Sequence, residues 1–195
     1  MPAYPATLEV DRPEKIANWR PLVHWLLAIP HAVVVYVLGI VSAVVGFISW
    51  FAILFTGKLP EGLANLQALF IRYQNRYTIY AYFLVEEYPP FTFETVPADP
   101  GDYPGVRTTV VPQYEDRNRL TTFFRFILVI PHVIALGLLG IAAFVALVVA
   151  FFAVLFTAQW PDGVRNFVLG VLRWGTRVSA YALFLTDEYP PFSLD

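Results

Sequence analysis

The sequence predicts an all-α integral membrane protein, a tandem repeat of two helical hairpins (four membrane helices) with short extramembrane β segments. Three observations carry this. Of 195 residues, 57% are apolar and only 14% charged, where a soluble domain carries about 25% charged residues. Two stretches, Pro21 to Gly57 and Phe126 to Pro161, hold no Asp, Glu, Lys or Arg over 37 and 36 residues. The chain also overlays itself on a shift of 101. From Asn18 to Glu94 the overlay needs no gap, and 27 of the 77 pairs are identical. The implied organisation is an N-terminal extramembrane segment (1–17), a first membrane repeat (18–94), a Pro-rich connector (95–117) and a second membrane repeat (118–195).

A globule of this size cannot hide so much apolar surface in one core. The composition therefore excludes an ordinary water-soluble enzyme, a disordered chain and a nucleic-acid binder. The formal charge of −2 leaves no polybasic tail for nucleic acid. Without cysteine there is no disulfide, thiolate metal site or cysteine nucleophile. The start of the chain lacks a basic n-region, and its first apolar run is too long for a signal peptide.

About 20 apolar residues span a bilayer as a helix. Each uncharged run is thus too long for one upright crossing and short for two. A tilted helix, a break at Pro30 and Pro131, or a tight hairpin would each accommodate it. We favour the break: proline removes a backbone donor and disfavours helix in the residue before it. A short interfacial helix would then precede a crossing of about 25 residues. Pro60-Glu61-Gly62 and Pro161-Asp162-Gly163 read as turns that start helices, with an acid suited to the N-terminus. Leu63 to Val85 and its copy, Val164 to Thr186, have helical length but carry Arg72, Arg76, Arg173 and Arg177. We expect these to be the second membrane helix of each hairpin. The two arginines of a pair are four apart and share one face, which either points into a bundle or snorkels. Ala6 to Val10, Phe91 to Glu94 and Val106 to Val111 alternate like strands, and we expect them to pair into a small cytoplasmic sheet. The distribution of arginine and lysine places both termini in the cytoplasm of a multi-pass bacterial inner-membrane protein. The copies would run parallel about an axis along the membrane normal.

The repeated motifs Ile-Pro-His (29–31, 130–132), Leu-Phe-Thr (54–56, 155–157), Arg-x-x-x-Arg and Tyr-Pro-Pro-Phe (88–91, 189–192) resemble a bacterial membrane family, domain of unknown function 4389, in two tandem copies. The resemblance implies a membrane location and brings no catalytic residues.

The candidate site residues are few. Arg72, Arg76, Arg173 and Arg177 could clamp lipid phosphate or dock an acidic partner, because guanidinium pairs bidentately with phosphate. The alternative for them is an ion pair with Glu86, Glu87, Asp187 or Glu188. His31 and His132 are polar positions beside proline; two histidines alone make an incomplete zinc set, and a bond to a freed carbonyl is the simpler role. His24 reads as a headgroup contact. Neither a catalytic set, a metal site nor a cofactor motif is recognisable. The expected partners are the bilayer and a larger membrane protein complex. The function that follows is a non-enzymatic accessory or scaffolding subunit of a cell-envelope assembly such as a lipid transporter. The alternative is a small transporter or channel acting as an oligomer.

Overall fold

The computed structural model describes residues 4–195. Its elements are β1 (Ala6–Val10), α1 (Arg20–Leu27), α2 (Ile29–Thr56), α3 (Glu61–Ala81), β2 (Val106–Val110), α4 (Arg119–Phe123), α5 (Arg125–Leu128), α6 (Ile130–Thr157) and α7 (Asp162–Ala182). Each long apolar helix is entered through a short one, and the break falls just before the proline, at Ala28 and Val129. Pro30 and Pro131 sit in the first turn of α2 and α6, where a missing N–H costs no intrahelical bond. The long helices end on a left-handed residue, Gly57 in α2 and Ala158 in α6. Pro60 and Pro161 then precede α3 and α7, with Glu61 and Asp162 in their first turns.

Two helical stretches, α2 and Arg125–Thr157 (α5 with α6), are long and apolar enough to cross a membrane. Four such helices were expected, and the arginine-bearing pair fails the expectation for a clear reason. Beyond Gly62 no residue of α3 is exposed, and beyond Gly163 only Asn166 of α7 is. These helices are the interior of the protein: α2 packs on α3 and α6 on α7, while α3 and α7 touch each other. Their arginines are solvated by the protein itself.

The strands β1 and β2 pair antiparallel, with Leu8 opposite Thr108 and Glu9 opposite Arg107. The segment Phe91 to Glu94 does not join them; it is irregular and lies over α2 and α3. One face of the ribbon is buried (Ala6, Leu8, Val106, Thr108, Val110), whereas Thr7, Glu9, Arg107 and Thr109 face outward. A lone two-stranded ribbon is marginal in water, and this one gains its stability by covering the helix pair. Ala6 and Val110 share a core with Ile53, Leu59, Ala64 and Ala68. Leu8 and Val106 share the other core with Ala150, Val154, Trp160 and Val168.

The two repeats are thus related by an approximate two-fold axis. It runs through the middle of the ribbon and the crossing of α3 with α7. Burial is one-sided on the long helices. Ser42, Val45, Gly46, Ser49 and Ile53 of α2 face inward, while Val37, Ile40, Val44, Phe47, Phe51 and Phe55 are exposed.

Candidate functional site

The Ile-Pro-His and Tyr-Pro-Pro-Phe motifs meet in space. His31 is 1% exposed and stacks on Phe91 with ring centres 4.1 Å apart, Tyr88 lying at 4.8 Å. Its Nδ1 is 2.8 Å from the hydroxyl of Tyr73. The copy repeats the arrangement: His132 stacks on Phe192 at 4.0 Å beside Tyr189 at 4.7 Å. There Nδ1 accepts from the indole N–H of Trp174 at 3.1 Å. An indole only donates, so Nδ1 of His132 is unprotonated. Each proline-rich turn therefore folds back and lays an aromatic lid on the imidazole. The boxes are separate, and neither contains a carboxylate. Among the described residues no cluster of three or more His, Asp or Glu is placed to hold a metal ion.

Arg72 and Arg76 are each 2% exposed and point into the connector. Arg72 donates to the carbonyls of Val96 (3.2 Å), Ala98 (3.1 Å) and Glu94. Arg76 donates to both oxygens of Asp102, at 2.6 and 3.1 Å, and to Asp99 at 3.3 Å. Burial by itself would raise the carboxyl of Asp102, but hydrogen bonds from Arg76 and Thr92 outweigh it and hold the group below the usual carboxylate range. These two arginines are braces, and their partners are Asp99 and Asp102 instead of the acids at the ends of the repeats.

Arg173 and Arg177 are half-buried and border a cleft of about 230 Å³ with Tyr4, Thr7 and Asp195. Arg173 donates to the carbonyl of Leu8 at 3.3 Å. Arg177 donates to the carbonyls of Asp195 (2.8 Å) and Ser193. Matching arginines of the two copies thus have unlike surroundings.

Sequence reasoning missed a third set. His24 is fully buried, stacked on Tyr80 at 4.2 Å, with Nδ1 2.8 Å from the Tyr80 carbonyl; it contacts no headgroup. Arg125, its counterpart, donates to the carbonyl of Tyr181 at 2.8 Å, the matching residue of the other copy. Arg125 and Arg117 converge on one oxygen of Asp187, at 2.5 and 2.7 Å. The other oxygen accepts from the backbone N–H of Asn118 at 2.7 Å. Burial would raise Asp187, yet the bonds from Arg117 and Asn118 prevail and lower it. In the first repeat Glu86 does the same for the backbone N–H of Ala17 and sits 3.8 Å from Arg20. The acid that closes each repeat therefore ties down the residue that opens it. The signal was present: Ala17 and Asn118, like Glu86 and Asp187, are 101 apart.

What faces outward from the long helices is apolar. An apolar cleft of about 590 Å³ opens between α1, α6 and α7, lined by Trp25, Tyr82, Phe144, Leu147, Phe151 and Leu172.

The geometry defines the class: a tandem-duplicated helical protein whose charged groups brace its interior and whose two long apolar helices are of membrane-spanning length. Residues 18–92 and 119–193 match the family described as Domain of unknown function (DUF4389). The chain belongs to that family and holds two copies of its unit, as the repeated motifs implied. Comparison with curated proteins and with solved structures finds no significant match.

Proposed function

We propose that the protein is a non-enzymatic, membrane-resident accessory or scaffolding subunit of a larger bacterial cell-envelope assembly, such as a lipid transporter, in the cytoplasmic membrane. One observation carries the reading. The buried charged groups are consumed in closing the protein's own fold, while the surface turned outward along α1, α2, α5 and α6 is apolar. A rigid core held in the membrane by a broad apolar face suits a part that positions others through the rest of its surface. Contiguous apolar patches on soluble monomers rarely exceed a few hundred Å². Two helices of 28 residues, each about 42 Å long and about 10 Å across, present roughly 800 Å².

The test is extraction of the endogenous protein from native membranes in mild detergent, followed by cross-linking and mass spectrometry. A multi-pass permease recovered in fixed stoichiometry is the expected result. Recovery of the chain alone would overturn the scaffold reading.

A further inference from the structure

We propose that α2 and α6 do not cross the bilayer but lie flat in one leaflet, with the β-ribbon and the connector on the water side of the same surface. This rests on the membrane-resident reading above and specifies its geometry.

The protein is layered. Gln67 of α3 faces α2: it accepts from the Ser42 hydroxyl and donates to the Ser42 carbonyl at 2.8 Å. Arg76 lies nine positions on, which at 100° per residue is the opposite side of α3. There it meets Asp99 and Asp102 of the connector. The helix α3 thus separates α2 from the polar chain. The order from outside inward is an apolar face, then α2, then α3, then connector and ribbon.

The polar layer accompanies α2 along its length. Near the start of α2, Tyr73 holds His31, and the lid residue Phe91 stacks on it. Near its end, the connector is tied to it: the Leu59 N–H donates to the Tyr114 carbonyl at 2.7 Å and the Arg117 N–H to the Gly57 carbonyl at 3.1 Å. These two regions are joined through Asp99, which binds both Arg76 and the backbone N–H of Thr108 at 2.8 Å, in the strand that leads on to Tyr114. The second repeat matches, with Phe192 at the start of α6 and the Ile16 N–H on the Ala158 carbonyl at its end, 2.8 Å away.

Were α2 upright, the ribbon would stand beside it at the depth of the hydrocarbon. Its outer face carries exposed Glu9 opposite Arg107, and its outer strand edges are capped only in part, by Asp99 on the Thr108 N–H and Arg173 on the Leu8 carbonyl. Hydrocarbon tolerates neither open sheet edges nor charges on a lipid-facing surface.

Helix direction agrees. The N–H of Ile16 donates to the carbonyl of Ala158, and the Asn18 amide to that of Leu155, so α1 runs back along the end of α6. Arg117 N–H donates to the carbonyl of Gly57 and the Trp50 indole to that of Thr122, so α4 runs back along the end of α2. The α-conformed residues Ala28 and Val129 lead from α1 into α2 and from α5 into α6, and α4 passes into α5 at Phe124 with the Phe124 N–H on the Leu120 carbonyl and the Leu128 N–H on that of Phe124. The helices α2 and α6 are therefore antiparallel, and the two-fold axis stands perpendicular to both. Flat helices put that axis on the membrane normal.

Lipid, and not a protein, is the occupant of this face because of its chemistry. A protein interface carries about one hydrogen bond per 100–200 Å². The exposed residues of α2 between Val33 and Phe55 offer only the Tyr36 hydroxyl, and those of α6 between Val133 and Phe156 offer no polar side chain.

The natural absence of cysteine makes the test direct. Single variants Thr95→Cys, Lys58→Cys and Gln159→Cys sample exposed sites near the start of α2, its end, and the end of α6. Sealed spheroplasts and inverted vesicles are treated with a membrane-impermeant maleimide; all three sites should be modified from the same side only. Nitroxides on Val33→Cys, Val44→Cys and Phe55→Cys, in phosphatidylcholine–phosphatidylglycerol vesicles, should report one common shallow depth. Modification of Thr95→Cys and Lys58→Cys from opposite sides, with Val44→Cys about 16 Å deeper than the other two, would overturn the flat arrangement and leave the membrane reading standing. Nitroxides that all report an aqueous surface would overturn both.

Discussion

Asn75 and Thr176 occupy the same position in the two repeats and hydrogen-bond each other. The Asn75 side-chain amide donates to the Thr176 hydroxyl at 3.0 Å, and that hydroxyl donates to the Asn75 Oδ1 at 3.2 Å. Equivalent residues of two copies meet where the axis that relates the copies passes, here the approximate two-fold. The same amide donates to Thr108 at 3.1 Å, across from Leu8 in the ribbon. One side chain thereby joins α3, α7 and β2 at the centre of the protein.

Asn75→Ala should therefore cost more than a surface change. It leaves the hydroxyls of Thr108 and Thr176, both nearly fully buried, without their amide partner, at about 1–3 kcal/mol. Thermal unfolding in detergent measures this. Thr176→Val should be milder, and the double variant should cost less than the two added.

Breaking the connector brace should be severe. Arg76→Gln strands Asp99, whose side chain is 5% exposed, and loosens Asp102. Removal of one partner of a buried pair costs on the order of 3–5 kcal/mol. Arg76→Lys should not rescue it, since one ammonium cannot reproduce the two-pronged contact. Limited proteolysis should then cut within residues 94–102, where the native protein resists.

Acid should unfold the protein through its paired carboxylates. The folded values of Asp102 and Asp187 lie below the ordinary carboxylate range. Their stabilisation is complete above the unfolded carboxylate value and is lost as pH falls through the folded value. Melting temperature should fall with acid in the native chain. In Asp187→Asn it should start lower and vary less over that window.

The histidine boxes should behave as packing, with one polar requirement. Trp174→Phe keeps the ring against Phe192 but removes the donor to Nδ1 of the fully buried His132. The expected loss is about 1–3 kcal/mol by denaturant unfolding.

Gly170→Ala should release the C-terminal segment. A Cβ there would lie 2.6 Å from the backbone oxygen of Leu194, and backbone cannot swing aside as a flexible side chain can. Ser193 and Asp195 would lift from Arg177, and hydrogen exchange of residues 193–195 should rise while the core stays protected.

Much of this was legible in sequence because it is written in chain-local physics. The uncharged runs announce α2 and α6, proline marks where they begin, and Pro60-Glu61-Gly62 marks the next helix. The overlay sets Arg125 against His24, and the mismatch of side chains suggested a headgroup contact for His24; that both serve a tyrosine carbonyl one helix away was not legible. The partners of Arg76 were not legible. Asp99 and Asp102 lie in the connector, which has no copy in the second repeat, so no repeated motif singled them out.

By itself, the sequence determined the duplication, where the long helices begin and end, and their apolar character. These follow from repeated residues, proline geometry and transfer free energy, all summed along the chain. Tertiary structure alone decided that α3 and α7 form the interior, that the arginines are solvated by a folded-back loop, and that ribbon and apolar face lie on opposite sides of the protein. Each of those depends on which distant groups meet, and no local pattern of residues encodes a meeting.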